Sequence, residues 1–162
     1  MNVRFNSEGN LPPGIHAMIK NERQYRISKA QVARFRGALE TLKQTPPGDL
    51  HPVLLKAQRE VVESQLGDLL AEVGEYEALQ AGQQSALQLR SLDEIPGALI
   101  RARIAKRLSQ KQLAEKIGLK EQQIQRYEAT DYAAASFGRI QQVIRALNLR
   151  IRKAVPLEAA SK

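Results

Sequence analysis

The chain has 162 residues, 43% of them hydrophobic but only 4% aromatic, and 25 Lys and Arg against 17 Asp and Glu leave a net charge of +8. It has no cysteine, which excludes disulfides, thiolate metal sites and thiol catalysis and suits the cytoplasm. No apolar run approaches the roughly 18 residues of a membrane span and residues 1–20 lack an apolar signal-peptide core, so a soluble cytoplasmic protein is expected, mainly helical around Leu, Ile, Val and Ala.

The charge is unevenly placed. Residues 91–155 hold thirteen basic side chains against six acidic, a net +7, whereas residues 1–90 hold eleven against ten, a net +1. Duplex DNA is the simplest partner for so local an excess, because each neutralised phosphate releases counterions. A solvated basic surface is the plainer alternative that charge alone leaves open.

Residues 1–20 include Gly9, Pro12, Pro13 and Gly14 and show little periodicity. They are expected to form a flexible N-terminal arm, since such a stretch buries too little to offset ordering. Its His16 fits a surface loop residue better than a ligand or base. From about Ile27 to Lys43 the apolar residues Val32, Phe35, Leu39 and Leu42 recur at helical steps. Thr-Pro-Pro-Gly within residues 44–49 ends that helix. A longer helix is expected from His51 or Pro52 to Leu79, about 40 Å, with Leu55, Val62, Leu66, Leu69, Val73 and Tyr76 on its stripe.

Residues 20–43 carry a net +5 and residues 52–80 a net −4, which favours an antiparallel, coiled-coil-like hairpin over residues 21–80. Two helices make a thin core. The hairpin is therefore expected to pack on another copy, the second domain or a partner, with self-association favoured. The polar, glutamine-rich residues 81–90 read as a linker. Ser91-Leu92-Asp93-Glu94 has the form of a capping box opening a helix from Leu92 to Arg107, with Ile95, Leu99 and Ala102 on one side.

Residues 108–128 are the most informative stretch. Ser109 and Gln112 form a second capping box, opening a short helix at Gln110 that buries Leu113, Ala114 and Ile117. Gly118 supplies the left-handed turn, Leu119 plugs the corner, and a following helix turns Ile124 and Tyr127 inward. Ser136 is a cap for a last helix burying Ile140, Val143, Ile144 and Leu147, and Asn148 suits its left-handed end. The alternation from Leu149 to Val155 before Pro156 predicts one short terminal β-strand, with a C-terminal tail at 156–162.

Apolar Leu113, small Ala114, apolar Ile117, Gly118, branched Ile124 and apolar Tyr127 together make residues 92–155 resemble the helix-turn-helix of the Cro/Xre family of bacterial and phage DNA-binding proteins. The resemblance implies a DNA-binding domain over residues 91–155 and a structural ion pair between Arg103 and Glu128. It also implies base contacts from Glu121, Gln122 and Arg126, and a phosphate or base contact from Gln110. Lys120 departs from the usual Ser or Thr cap, and a phosphate contact would offset that cost. Turning about 100° per residue from Ile124, Gln122 and Arg126 point most directly outward, flanked by Gln123 and Gln125. Gln suits adenine and Arg suits guanine in the major groove.

The implied function is a sequence-specific transcriptional repressor binding an inverted-repeat operator as a homodimer. The size and the added helical region resemble antitoxins that neutralise a toxin protein and regulate their own operon. A phage or mobile-element regulator without a toxin, and a scaffold whose helix-turn-helix no longer binds DNA, are the alternatives. Neither His16 nor His51 lies in a recognisable catalytic or metal motif and no phosphate-binding glycine loop is present, so no enzyme activity, cofactor or metal is expected.

Overall fold

The first helix begins where side chains can satisfy its free amides. Asn21 Oδ1 accepts from the Gln24 N–H at 2.9 Å, and Gln24 Oε1 accepts from the Lys20 N–H at 2.8 Å. The computed structural model describes residues 18–44, 52–84 and 86–152. Arm residues 1–17 with His16, the loop 45–51 with His51, and residues 153–162 with the tail lie outside the described residues. From its cap, α1 runs Glu22–Gln44, starting earlier than the apolar spacing predicts, and α2 runs Pro52–Gln80.

The two helices are antiparallel: Tyr25 near the start of α1 stacks on Tyr76 near the end of α2 at 4.9 Å, and Leu42 shares a shallow groove with Leu54 and Val62. Val32 and Leu39 are buried, with Val73, Tyr76 and Leu79 on the other helix. The expected stripe residues Leu55, Val62, Leu66 and Leu69 are only half-buried. A two-helix layer is too thin to cover them.

Part of the expected charge pairing across the hairpin falls at Glu77. Glu77 accepts from the Tyr25 hydroxyl at 2.6 Å and from Lys29 Nζ at 3.1 Å, which holds its carboxyl below the ordinary carboxylate range, first through the Tyr25 bond and then through Lys29. The exposed Arg23, Arg26 and Arg34 engage no acidic side chain among the described residues. Turning about 100° per residue sets these three opposite Val32 and Leu39, away from α2.

The Ser91 capping box does not form. Leu92–Glu94 is a single 3₁₀ turn, the Ser91 side chain accepts no capping bond, and Glu94 instead accepts from the Arg90 N–H at 2.7 Å. Pro96 is the cause: it has no N–H to return to Leu92, so α-helical bonding cannot begin there. The helix starts at Ile95 as α3, Ile95–Ala105. After it come α4, Gln110–Lys116, α5, Glu121–Ala129, and α6, Phe137–Ala146.

Five helices end alike, with an amide bonding five residues back beside a left-handed residue. Gln83 reaches Ala78, Leu108 reaches Arg103, Leu119 reaches Ala114, Tyr132 reaches Tyr127 and Leu149 reaches Ile144. The left-handed residues are Gly82, Arg107, Gly118, Asp131 with Tyr132, and the expected Asn148 at φ 47°. Leu149 therefore closes α6, and residues 149–152 form no strand. The remainder of the expected strand, 153–155, lies outside the described residues.

The buried side chains of the hairpin base and of α3–α6 form one continuous cluster, from Ile19, Val73 and Tyr76 through Leu99 and Ile100 to Val143 and Leu147. A salt bridge from Arg101 to Glu75 at 2.6 Å ties α3 to α2. Among the described residues no helix is long and apolar enough to cross a membrane.

Tyr132 is 2% exposed, and its hydroxyl has no hydrogen-bond partner among the described residues. Removing a buried unpaired hydroxyl relieves a desolvation cost of about 1–3 kcal/mol, so Tyr132→Phe is expected to leave the melting temperature unchanged or raise it. Burial, followed by the charge of Glu128, pushes this phenol well above its ordinary value of 10.0. The folded state then keeps a proton that the unfolded chain loses above about pH 10, so stability falls as pH rises past that point. Denaturation series from pH 9 to 11 should show a flatter decline for Tyr132→Phe than for the parent.

Candidate nucleic-acid interface

The corner between α4 and α5 is built locally. Ser109 Oγ accepts from the Gln112 N–H at 3.1 Å and Gln112 Oε1 accepts from the Ser109 N–H at 2.8 Å, both halves of the expected box. Leu113, Ala114 and Ile124 are buried, while Ile117, Leu119 and Tyr127 are half-buried around the turn. Gly118 has φ 68°, a conformation that costs a side-chain-bearing residue strain.

Lys120 precedes α5 and cannot act as an acceptor cap. Only the return half of the box exists there, Gln123 Oε1 accepting from the Lys120 N–H at 3.1 Å. Gln123 is thereby committed to the helix start, although exposed. Glu121, Gln122, Gln125 and Arg126 are exposed as well. Gln125 Nε2 donates to Glu121 Oε1 at 3.1 Å, leaving Gln122 and Arg126 as the projecting pair. At the exit of α5, Thr130 Oγ1 donates to the Arg126 carbonyl at 3.1 Å, and the left-handed residues follow one position later.

Beneath this face lies the expected ion pair. Arg103 Nε meets Glu128 Oε1 at 2.6 Å and Nη2 meets Oε2 at 2.7 Å, with the two residues 3% and 0% exposed. A bidentate pair of this kind fixes orientation as well as charge. Arg103 also donates to the carbonyls of Leu108 at 2.8 Å and Lys20 at 2.5 Å.

Gln110 sits differently from the expectation. It is 8% exposed, and its Nε2 donates to Glu128 Oε2 at 2.8 Å, so its side chain turns into the ion-pair network instead of out with Gln122. The residue missed in the sequence is Lys20, assigned there to the flexible arm. Its Nζ donates to the Glu128 carbonyl at 2.7 Å and to Asp131 Oδ1 at 2.8 Å, while neighbouring Ile19 is buried. The pattern Asn21-x-x-Gln24 signals an ordered helix start; the docking of Lys20 across more than a hundred residues has no local signal.

Beside α5 an open cleft of about 1010 Å³ is lined by Glu121, Gln125 and Ala129, by the first turn of α1 and by Arg107. Among the described residues no cluster of His, Asp and Glu is arranged to hold a metal ion.

No curated protein and no solved structure matches the chain. Residues 99–153, from the middle of α3 to just past α6, match the family model described as Helix-turn-helix, so this segment is similar to helix-turn-helix domains of the Cro/Xre type.

Proposed function

We propose that the protein is a transcriptional repressor that reads duplex DNA sequence-specifically as a homodimer. The observation that carries this reading is the outward face of α5, where Gln122 and Arg126 project while Ile124 and Glu128 anchor the opposite side. Arg126 is suited to bond guanine bidentately and Gln122 adenine, and Glu121 can accept from cytosine. Gln125 flanks them and steers Glu121. Lys120, exposed at the helix start, is suited to contact a phosphate, while Gln123 secures its backbone. Gln110 serves by holding Glu128 in place.

One such unit reads few bases, so specificity calls for two copies about 34 Å apart on an inverted repeat. The distal half of α2 offers a surface for that association, with Val53, Leu54 and Val61 each more than half exposed. The antitoxin role implied by the resemblance would use a protein-binding surface of the same kind.

The test is to select genomic fragments with the purified protein and weigh its complex with the recovered site. The expected result is two chains per duplex and a site with two-fold symmetry. Failure to retain any duplex at about 0.05 M salt, where phosphate contacts are strongest, overturns the reading. Co-purification of a small neighbour-encoded protein seated on the hairpin would extend it to an antitoxin.

A further inference from the structure

The cleft beside α5 joins the helical hairpin to the face that meets DNA. It is lined on the α5 side by Glu121 and Gln125 and on the hairpin side by Arg23, with Arg107 from the end of α3. Both arginines are exposed. Arg107 is pre-positioned: it holds φ 54°, and its Nε donates to the Gln80 carbonyl at 3.0 Å, leaving the rest of the guanidinium for a ligand. The acidic side chains on the cleft are held by local contacts, and Lys29 offsets the charge of Glu77. Glu77 accepts from Tyr25 and Lys29, and Glu121 from Gln125, while Glu22 stands in the first turn of α1, where the helix dipole favours a carboxylate.

We infer that this cleft receives the phosphate backbone bordering the major-groove site, with Arg23 and Arg107 as its phosphate-binding side chains, so that the hairpin is part of the DNA-binding surface. This rests on α5 being the base-reading helix. A helix seated in a groove roughly 12 Å wide has a sugar-phosphate strand along each flank, and the flank at Glu121 and Gln125 opens into the cleft. Arginine suits the occupant because its planar fork matches phosphate oxygens bidentately. The cleft is larger than the roughly 300 Å³ at which small-ligand pockets begin, and its open, charged lining fits a strand that passes through better than an enclosed apolar ligand.

Arg34 supplies an internal comparison. It lies on the same solvent side of α1 as Arg23, eleven positions later, which the helical rise converts to about 16 Å. It does not line the cleft. If the arginines of α1 acted only through general charge, Arg34 and Arg23 would be equivalent.

The experiment is fluorescence anisotropy of the full chain with its selected site and with a scrambled duplex of equal length, from about 0.05 to 0.2 M salt. Arg23→Ala and Arg107→Gln are each expected to weaken binding to both duplexes about five- to tenfold, leave their ratio unchanged and, because the dimer loses the contact twice, lower the logarithmic salt slope by about 2. Arg34→Ala should stay within twofold of the parent, and Arg23→Lys should recover most of the loss. Arg23 is exposed and pairs with no acidic side chain among the described residues, so its variant remains informative if Arg107→Gln is destabilised. Parental affinity and slope in Arg23→Ala, or an equal loss in Arg34→Ala, would overturn the cleft while leaving the base-reading helix intact. Absence of duplex binding by the parent would overturn both.

Discussion

Arg103→Ala is expected to destabilise the helix-turn-helix domain by about 3–5 kcal/mol, because it leaves the carboxylate of Glu128 charged, buried and without its partner. The geometry supports the upper part of that range. Glu128 is fully buried and accepts three side-chain bonds, two from Arg103 and one from Gln110. Arg103 in turn closes the α3 corner through Leu108 and binds the backbone of Lys20. Glu128→Ala is expected to cost a similar amount by stranding the guanidinium. The double variant Arg103→Met with Glu128→Leu should lose less than either single change, since desolvating two charges consumes much of what their attraction returns. Urea denaturation of the four proteins tests that order of stabilities. A single-variant loss below about 1 kcal/mol, the range of exposed pairs, would contradict the buried network. The pair should also be nearly insensitive to added salt, because counterions do not reach it.

What could be foreseen from the sequence follows from the distance over which each feature is determined. Ser109 and Gln112 satisfy one another within a single turn, and Gly118 and Asn148 supply left-handed residues where helices stop, so local spacing was sufficient for the α4–α5 corner. The Ser91 box had the same spelling and failed, since a proline five positions later removed the amide that a helix opening there requires. Family resemblance implies a phosphate or base contact for Gln110. It turns inward because of Glu128, eighteen residues away, and a helical wheel for α4 alone contains no such term. Lys20 is the extreme case, drawn out of a presumed arm by an α5 carbonyl and Asp131. Its neighbour Ile19 belongs to the common core, so the packed fold includes residues that precede the first apolar stripe. In the hairpin the inward stripe was readable, yet its half-buried distal residues show that periodicity identifies the face and not the depth at which it is covered.

Arg126→Ala and Gln122→Ala separate reading from holding. Each bidentate base contact contributes roughly 1–3 kcal/mol of discrimination, and a two-fold dimer loses the contact twice. Affinity for the selected site should therefore fall by about a hundredfold or more in Arg126→Ala, with a smaller loss in Gln122→Ala, whereas affinity for scrambled duplex should change little. Neither substitution touches the core: Arg126 and Gln122 are exposed, and the neighbouring Ile124 and Glu128 retain their burial and bonds. Melting temperatures should accordingly stay close to the parent, in contrast to the Arg103 variants, whose loss of binding is expected to track their loss of fold. The decisive comparison is the ratio of selected to scrambled affinity measured at one salt concentration. If that ratio survives in the double variant Gln122→Ala with Arg126→Ala while the fold is intact, sequence is read by some other surface, and α5 contributes position and charge alone.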